Sequence, residues 1–242
     1  MQYYIGTSGW HYEHWRYRFY PENLNKTKWL EFYSSNFNTV ELNNSFYRLP
    51  SEEAFANWHD TSPAGFKFAV KVSRFITHIK RLKVTVEPVE KFISRAKLLG
   101  EKLGPLLYQL PPNMHRDDER LESFLSGLPE GMQHVFEFRH LSWLNDSVYN
   151  ILNRYNAGLC VFDMPDIECP LVVTADFAYI RLHGSTALYS SCYTDEELAD
   201  WKNKLADLPD NIKQVYIYFN NDSEAFAVRN AITLANYLKR QK

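Results

Sequence analysis

Short apolar runs alternate with longer segments whose apolar residues recur every three or four positions, from one end of the chain to the other. The runs occupy residues 3–8, 39–43, 67–72, 106–110, 134–139, 159–163, 179–183 and 214–220, and their length and composition predict strands. Between them, residues 28–36, 52–60, 87–99, 117–125, 145–155, 195–205 and 223–240 read as amphipathic helices. Val89, Phe92, Ile93, Ala96 and Leu99 form one such apolar stripe. After Asp163, Pro165 and Pro170 leave little room for a long helix. Strands alternating with helices imply parallel pairing with crossover helices. About eight units in a chain of 242 residues favour a closed, TIM-like (β/α)8 barrel of the α/β class over an open sheet. An open doubly wound sheet usually announces a phosphate loop after its first strand. Here that strand ends Gly6-Thr7-Ser8-Gly9-Trp10, which fits neither a dinucleotide nor a phosphate loop. No Pro/Gly/Ser-rich linker divides the chain, so residues 1–242 read as a single domain.

Successive strand residues face opposite sides, so each run splits into an apolar set and a mixed set. The apolar set should meet the helices and the mixed set the barrel axis. The mixed sets contain Glu41 and Asn43, Lys71, Gln109, Glu137 and Arg139, Asp163, Arg181 and His183, and Tyr218 and Asn220. Most lie toward the C-terminal ends of their strands, the end where barrel enzymes carry their sites. Three carboxylates (Glu41, Glu137, Asp163) then face three cations (Lys71, Arg139, Arg181). Such a set could be a self-neutralising structural network. Because replacing such networks by apolar packing is often neutral or stabilising, their retention at the functional end argues for a ligand.

The wider composition adds exclusions. Hydrophobic residues are 45% and charged residues 23% of the chain, an ordinary globular balance, and a formal net charge of -2 gives no global pull toward nucleic acid. Cys160, Cys169 and Cys192 have neither disulfide-framework nor zinc-site spacing, which points to a reducing, cytoplasmic compartment. No signal peptide is expected at the start of the chain, and no membrane attachment. The 16% aromatic share fits a large core, a stacking surface, or both.

The chain resembles the YecE-like family, catalogued as a domain of unknown function (number 72). The resemblance rests on Gly6-Thr7-Ser8-Gly9-Trp10 with Tyr12 and Trp15, on Val40-Glu41-Leu42-Asn43 with Phe46-Tyr47-Arg48-Leu49-Pro50, and on Ile76-Thr77-His78. It continues through Gly104-Pro105, Gln109-Leu110-Pro111-Pro112, Glu137-Phe138-Arg139-His140 with Ser142-Trp143, and Tyr179 with Arg181-Leu182-His183-Gly184. Tyr218-Phe219-Asn220-Asn221-Asp222 with Asn230-Ala231 completes it, so nearly the whole chain is covered. Ser45 stands where the family more often has threonine. The resemblance implies a TIM-like barrel and no established activity. A looser likeness of fold to sugar-isomerase and apurinic-endonuclease barrels suggests sugar or nucleic-acid chemistry by analogy alone.

Within the cluster, Glu41 and Glu137 are the leading acid/base pair, although either could simply pair with Arg139 or Lys71. His183 is a candidate general acid, and Asp163 a further catalytic carboxylate. His78 could reach over the mouth from its loop. Lys71, Arg139 and Arg181 suit an anionic ligand, with Asn43, Gln109, Tyr218 and Asn220 as polar contacts. Gly184-Ser185 and Asn220-Asn221-Asp222-Ser223 occupy the usual phosphate-loop places, where ordinary helix caps are the alternative. Trp10, Phe46, Tyr47 and Trp143 follow strands and could form a stacking rim or anchor loops. Glu41, Glu137, Asp163 and His183 could together hold a divalent metal, but the adjacent cations disfavour one, and no cofactor is expected.

The leading expectation is an enzyme using acid/base chemistry on a small polar, anionic, sugar-like or nucleotide-like ligand, with hydrolase or lyase ahead of isomerase. A nucleic-acid-binding module, with a groove of Arg16, Arg18, Lys71, Arg74, Lys80 and Arg81, is the first alternative. A non-enzymatic ligand- or partner-binding scaffold is the second. The oligomeric state is left open.

Overall fold

The structure, a computed structural model, describes residues 1–165 and 167–239, so Arg240 at the end of the last expected helix lies outside the described residues. Eight strands form the barrel: β1 (Gln2–Thr7), β2 (Thr39–Leu42), β3 (Lys67–Lys71), β4 (Leu103–Gln109), β5 (His134–Glu137), β6 (Gly158–Met164), β7 (Phe177–Leu182) and β8 (Gln214–Phe219). They pair in parallel in the order β1-β8-β7-β6-β5-β4-β3-β2, so this is the expected α/β TIM-like barrel. Outside it lie α1 (Trp29–Asn36), the short α2 (Asn44–Tyr47), α3 (Glu52–Thr61), α4 (Val86–Ala96), α5 (Asp118–Ser126), α6 (Asp146–Arg154), α7 (Asp195–Ala206) and α8 (Phe226–Lys239). Helix starts are chemically marked. Ser51, Asp117 and Asn145 accept backbone N–H bonds at α3, α5 and α6, and Thr194 with Glu197 makes a capping box at α7. Among the described residues, the proline-bearing stretch after β6 holds only the two-residue strand Ile167–Glu168, folded back antiparallel on β6. No helix among the described residues is long and apolar enough to cross a membrane.

The barrel closes between β1 and β2 with one Ser8–Glu41 bridge, and side chains complete the seam. The Tyr33 hydroxyl accepts from Thr7 N at 2.9 Å and lies 3.1 Å from Thr39 O, while Asn38 accepts from Ile5 N and donates to Tyr3 O. Gly6 permits this approach, since a Cβ there would sit 2.2 Å from Thr39 O and 2.9 Å from the Tyr33 hydroxyl. Gly6→Ala should therefore part the seam and destabilise the fold by about 1–3 kcal/mol, read as a lower urea midpoint. An unchanged midpoint would mean the seam has slack.

Inside, parity builds a separate cluster of Tyr4, Ala69, Leu107, Val135, Cys160, Phe177, Tyr179, Tyr216 and Tyr218. Tyr4 stacks on Tyr216 at 4.8 Å. Tyrosine suits this place because its ring fills the taper while its hydroxyl serves polar partners. Tyr218 meets Thr39 Oγ1 at 2.7 Å and Tyr179 donates to Glu41 at 2.7 Å. The opposite parity, including Val40, Leu42, Phe68, Val70, Leu159 and Val161, joins the larger cluster against the helices.

Candidate functional site

At the C-terminal ends of the strands, Arg181 reaches across the barrel and donates to both glutamates: Nη2 to Glu41 Oε1 at 2.8 Å and Nη1 to Glu137 Oε2 at 2.6 Å. Glu41 also accepts from Ser8 Oγ at 2.8 Å, Asn43 Nδ2 at 3.1 Å and the Tyr179 hydroxyl. Glu137 accepts from Gln109 Nε2 at 2.9 Å and from Arg139 Nε. Arg139 further contacts Met164 Sδ at 3.1 Å and donates to His183 Nε2 at 3.0 Å. Asn220 lies 3.0 Å from the other ring nitrogen of His183. Glu41 and Glu137 are 0% exposed and Arg181 1%. The two carboxylates are therefore enclosed and well supplied with donors.

These contacts determine protonation. Burial alone would raise Glu41, but the Arg181 guanidinium, the Tyr179 hydroxyl and the Lys71 charge outweigh it and hold the carboxyl below its usual range. Burial opposes ionisation of Glu137 too, yet Arg139 and then Arg181 hold it well below that range. Burial, then Arg181, keeps His183 neutral by pushing its pKa well down. Because Arg139 can only donate, Nε2 of His183 must accept and the ring proton belongs on Nδ1, where Asn220 can accept it only with its amide oxygen, not its nitrogen, turned to the ring. Both glutamates are thus ionised and bonded to Arg181, and the neutral His183 ring lies between Arg139 and Asn220.

Lys71 differs from its neighbours. Its ammonium lies 4.4 Å from the centre of the Phe46 ring and has no hydrogen-bond or ion-pair partner among the described residues. Burial, then the Arg181 charge, lowers its pKa to about 8. His78 packs edge-on against the same Phe46 ring at 4.9 Å, and burial, then Lys71 and Arg74, lowers its pKa to about 4. Tyr47 is 75% exposed and meets Phe46 from outside. Asn43 presents a buried Oδ1 without a partner.

Some expected residues lie elsewhere. Asp163 is not brought to the axis: on β6 the inward residues are Cys160 and its parity mates, and Asp163 instead receives Trp201 Nε1 at 3.4 Å from α7. The reason is that Leu159 and Val161 fill the helix-facing core, which carries Asp163 outward with them. With Asp163 gone, Glu41, Glu137, Asp163 and His183 do not converge, and no metal-binding group of three or more His, Cys, Asp or Glu forms among the described residues. Trp143 is not a rim residue; it is fully buried, stacks on Phe138 at 4.7 Å and donates to Met114 O at 2.7 Å. Trp10 packs edge-on to Trp58 of α3, anchoring its loop. Tyr218 is inside the barrel, but bonded to Thr39 one inward step below Glu41. Ser8 and Tyr179, absent from the expected list, hold Glu41, and both follow from the inward parity of β1 and β7.

The profile of a family described as "Protein of unknown function DUF72" matches residues 4–242. UPF0759 protein YunF of Bacillus subtilis (strain 168) is 28% identical over 261 positions, covering 94% of this chain and 91% of its own. UPF0759 protein YecE of Escherichia coli (strain K12) is 31% identical over 138 positions, covering 57% of this chain and 48% of its own. The crystal structure of a DUF72 family protein from Thermotoga maritima MSB8 gives a TM-score of 0.90 at 29% identity, covering 99% of this chain and all of that one (100%). A DUF72 family protein from Enterococcus faecalis V583 gives 0.86 at 21% identity over 98% of this chain and 96% of that one, a likeness of fold.

Proposed function

The chain belongs to the DUF72 family, whose description carries no activity, and from the geometry of its barrel mouth we propose an enzyme for a small anionic ligand, with Lys71 as the group that meets the ligand. The ligand class is polar and sugar-like or nucleotide-like. The observation that carries this reading is charge balance. Without Asp163, two carboxylates face three cations, a formal surplus of +1, and the cation left unpaired is Lys71. An unpaired, partly buried ammonium is costly unless a ligand completes it. Tyr47 and the Asn43 Oδ1, which has no partner among the described residues, stand at opposite ends of α2 and suit a sugar or base. Both glutamates are committed to Arg181, so neither is free to activate water, which favours the lyase of the two expected classes, or an isomerase, over a hydrolase.

The test compares ribose 5-phosphate with ribose by calorimetry, followed by turnover screens on phosphosugars, nucleotides and abasic DNA. The phosphorylated sugar should bind and ribose should not, and Lys71→Gln should weaken binding by about tenfold or more, the equivalent of ~1.4 kcal/mol. The bound form needs the ammonium, so affinity should hold below neutral pH and fall as pH rises through about 8. Equal binding of ribose, or full binding by Lys71→Gln, would overturn the reading. Saturable binding without turnover would support the scaffold alternative.

A second reading, nucleic-acid binding, draws on the exposed Phe75 and Ile79 between Arg74 and Lys80. Its expected groove is shortened, because Arg16 and Arg18 are already paired with Glu13 and Glu224. It predicts salt-sensitive oligonucleotide binding that weakens with Arg74→Gln and Lys80→Gln as well as with Lys71→Gln.

A further inference from the structure

We infer that Lys71 is an amine nucleophile that forms an iminium with an anionic ligand bearing a ketone or aldehyde, such as a 2-oxo acid or a ketose phosphate. This rests on the reading of the mouth as an anion site and adds the reactive group of the ligand.

Four observations carry it. Lys71 is the one mouth cation among the described residues without a hydrogen bond or ion pair, so its nitrogen need not break one to react. Glu41 and Glu137, the carboxylates whose charges reach it, are tied to Arg181 and would not hold the amine protonated by direct contact. The Phe46 ring at 4.4 Å covers one side of the ammonium and leaves it oriented. Finally, a pKa of about 8 leaves a useful fraction of free amine near neutral pH, as for other lysine nucleophiles desolvated beside a second cation.

The step balances without an oxidant or reductant. The ammonium first gives one proton to solvent. Its lone pair then forms the C–N bond while the carbonyl π pair moves to oxygen, which takes a proton from the nitrogen. The resulting carbinolamine regains the first proton on its hydroxyl and loses water. Nitrogen keeps one of its three protons, water carries two, and the cationic C=N group replaces the ammonium charge for charge. The charge surplus that attracts the ligand therefore survives the reaction. The adjacent cation also acidifies the carbon next to the iminium, which suits the lyase or isomerase chemistry proposed above.

The experiment uses the full chain incubated with pyruvate or dihydroxyacetone phosphate and then sodium borohydride, with acetone as the neutral control. Intact mass and peptide mapping read the reduced adduct. One adduct per chain on the Lys71 peptide is expected with the anionic carbonyls, far above acetone, and none in Lys71→Arg. At saturating ligand the trapping rate should rise with pH through about 8, opposite to anion affinity. Adducts scattered over surface lysines, or no adduct on Lys71, would overturn the inference. If ribose 5-phosphate still binds in that case, the iminium alone has failed; if it does not, the anion site has failed with it.

Discussion

Arg181→Met should be among the most destabilising single substitutions in the barrel, costing about 3–5 kcal/mol at neutral pH. The guanidinium is 1% exposed and is the direct ionic partner of Glu41 as well as one of two for Glu137. Removing it leaves Glu41 with neutral donors only: Ser8, Asn43 and Tyr179. Against a typical domain stability of roughly 5–15 kcal/mol, that loss brings the protein near its limit. Arg181→Lys keeps a charge but cannot fork to both carboxylates, so it should fall between. Urea denaturation of the three proteins checks the order.

The pH dependence gives an independent sign. In the parent protein Glu41 and Glu137 have lowered values in the fold, so their stabilisation is present above the unfolded carboxyl range and is lost as pH falls through the lowered values. In Arg181→Met, burial is the largest remaining influence on Glu41 and raises it. A raised folded value reverses the linkage: stability should recover as pH falls from 7 toward 5, where the parent's glutamates give no such gain. Parallel pH profiles for the two proteins would show that Arg181 does not hold Glu41 ionised.

The fold was legible because the strands combine clear parity with clear boundaries. Val40 and Leu42 against Glu41 and Asn43, or Ile180 and Leu182 against Arg181 and His183, announce which face meets the helices. On β6 that contrast is missing. Leu159 and Val161 oppose Cys160 and Phe162, both sets are apolar, and Asp163 alone decided the face wrongly. Trp143 shows a second limit. An aromatic just after a strand can form a rim or pin a loop, and only its tertiary partners, Phe138 and Met114, decide. Chemical roles were the least legible part. Glu41 and Arg181 are 140 residues apart, and neither strand alone shows that one guanidinium occupies both glutamates. Their expected acid/base function depended on their being free. The lone Lys71 emerged only by elimination, once Glu41, Glu137, Arg139 and Arg181 were paired with one another.

Glu137→Gln separates support from chemistry because its two effects should have opposite signs. The hydrogen bonds to Glu137 all come from donors, Gln109 Nε2, Arg139 Nε and Arg181 Nη1, with the weakly donating Cys160 Sγ at 4.0 Å and His183 Nε2 3.9 Å away. A glutamine can accept with one oxygen, but its amide N–H groups would point at a guanidinium. Stability should drop by about 3–5 kcal/mol, as for other buried pairs broken on one side. Anion affinity should rise. Removing one carboxylate takes the formal surplus at the mouth from +1 to +2 by the same count of ions, provided affinity is read at a pH low enough to keep Lys71 charged, since Glu137 is one of the charges that hold its pKa up. For a charge about 8 Å away at an effective dielectric near 20, the change is ~2 kcal/mol, more than tenfold in affinity. Ligand binding stabilises the fold by mass action, so ribose 5-phosphate should raise the melting temperature of Glu137→Gln more than that of the parent. A glutamate that itself bonds the ligand's hydroxyl groups would give the reverse, weaker binding together with lower stability. Measuring both quantities on one variant therefore decides whether Glu137 holds the arginines in place or handles the substrate.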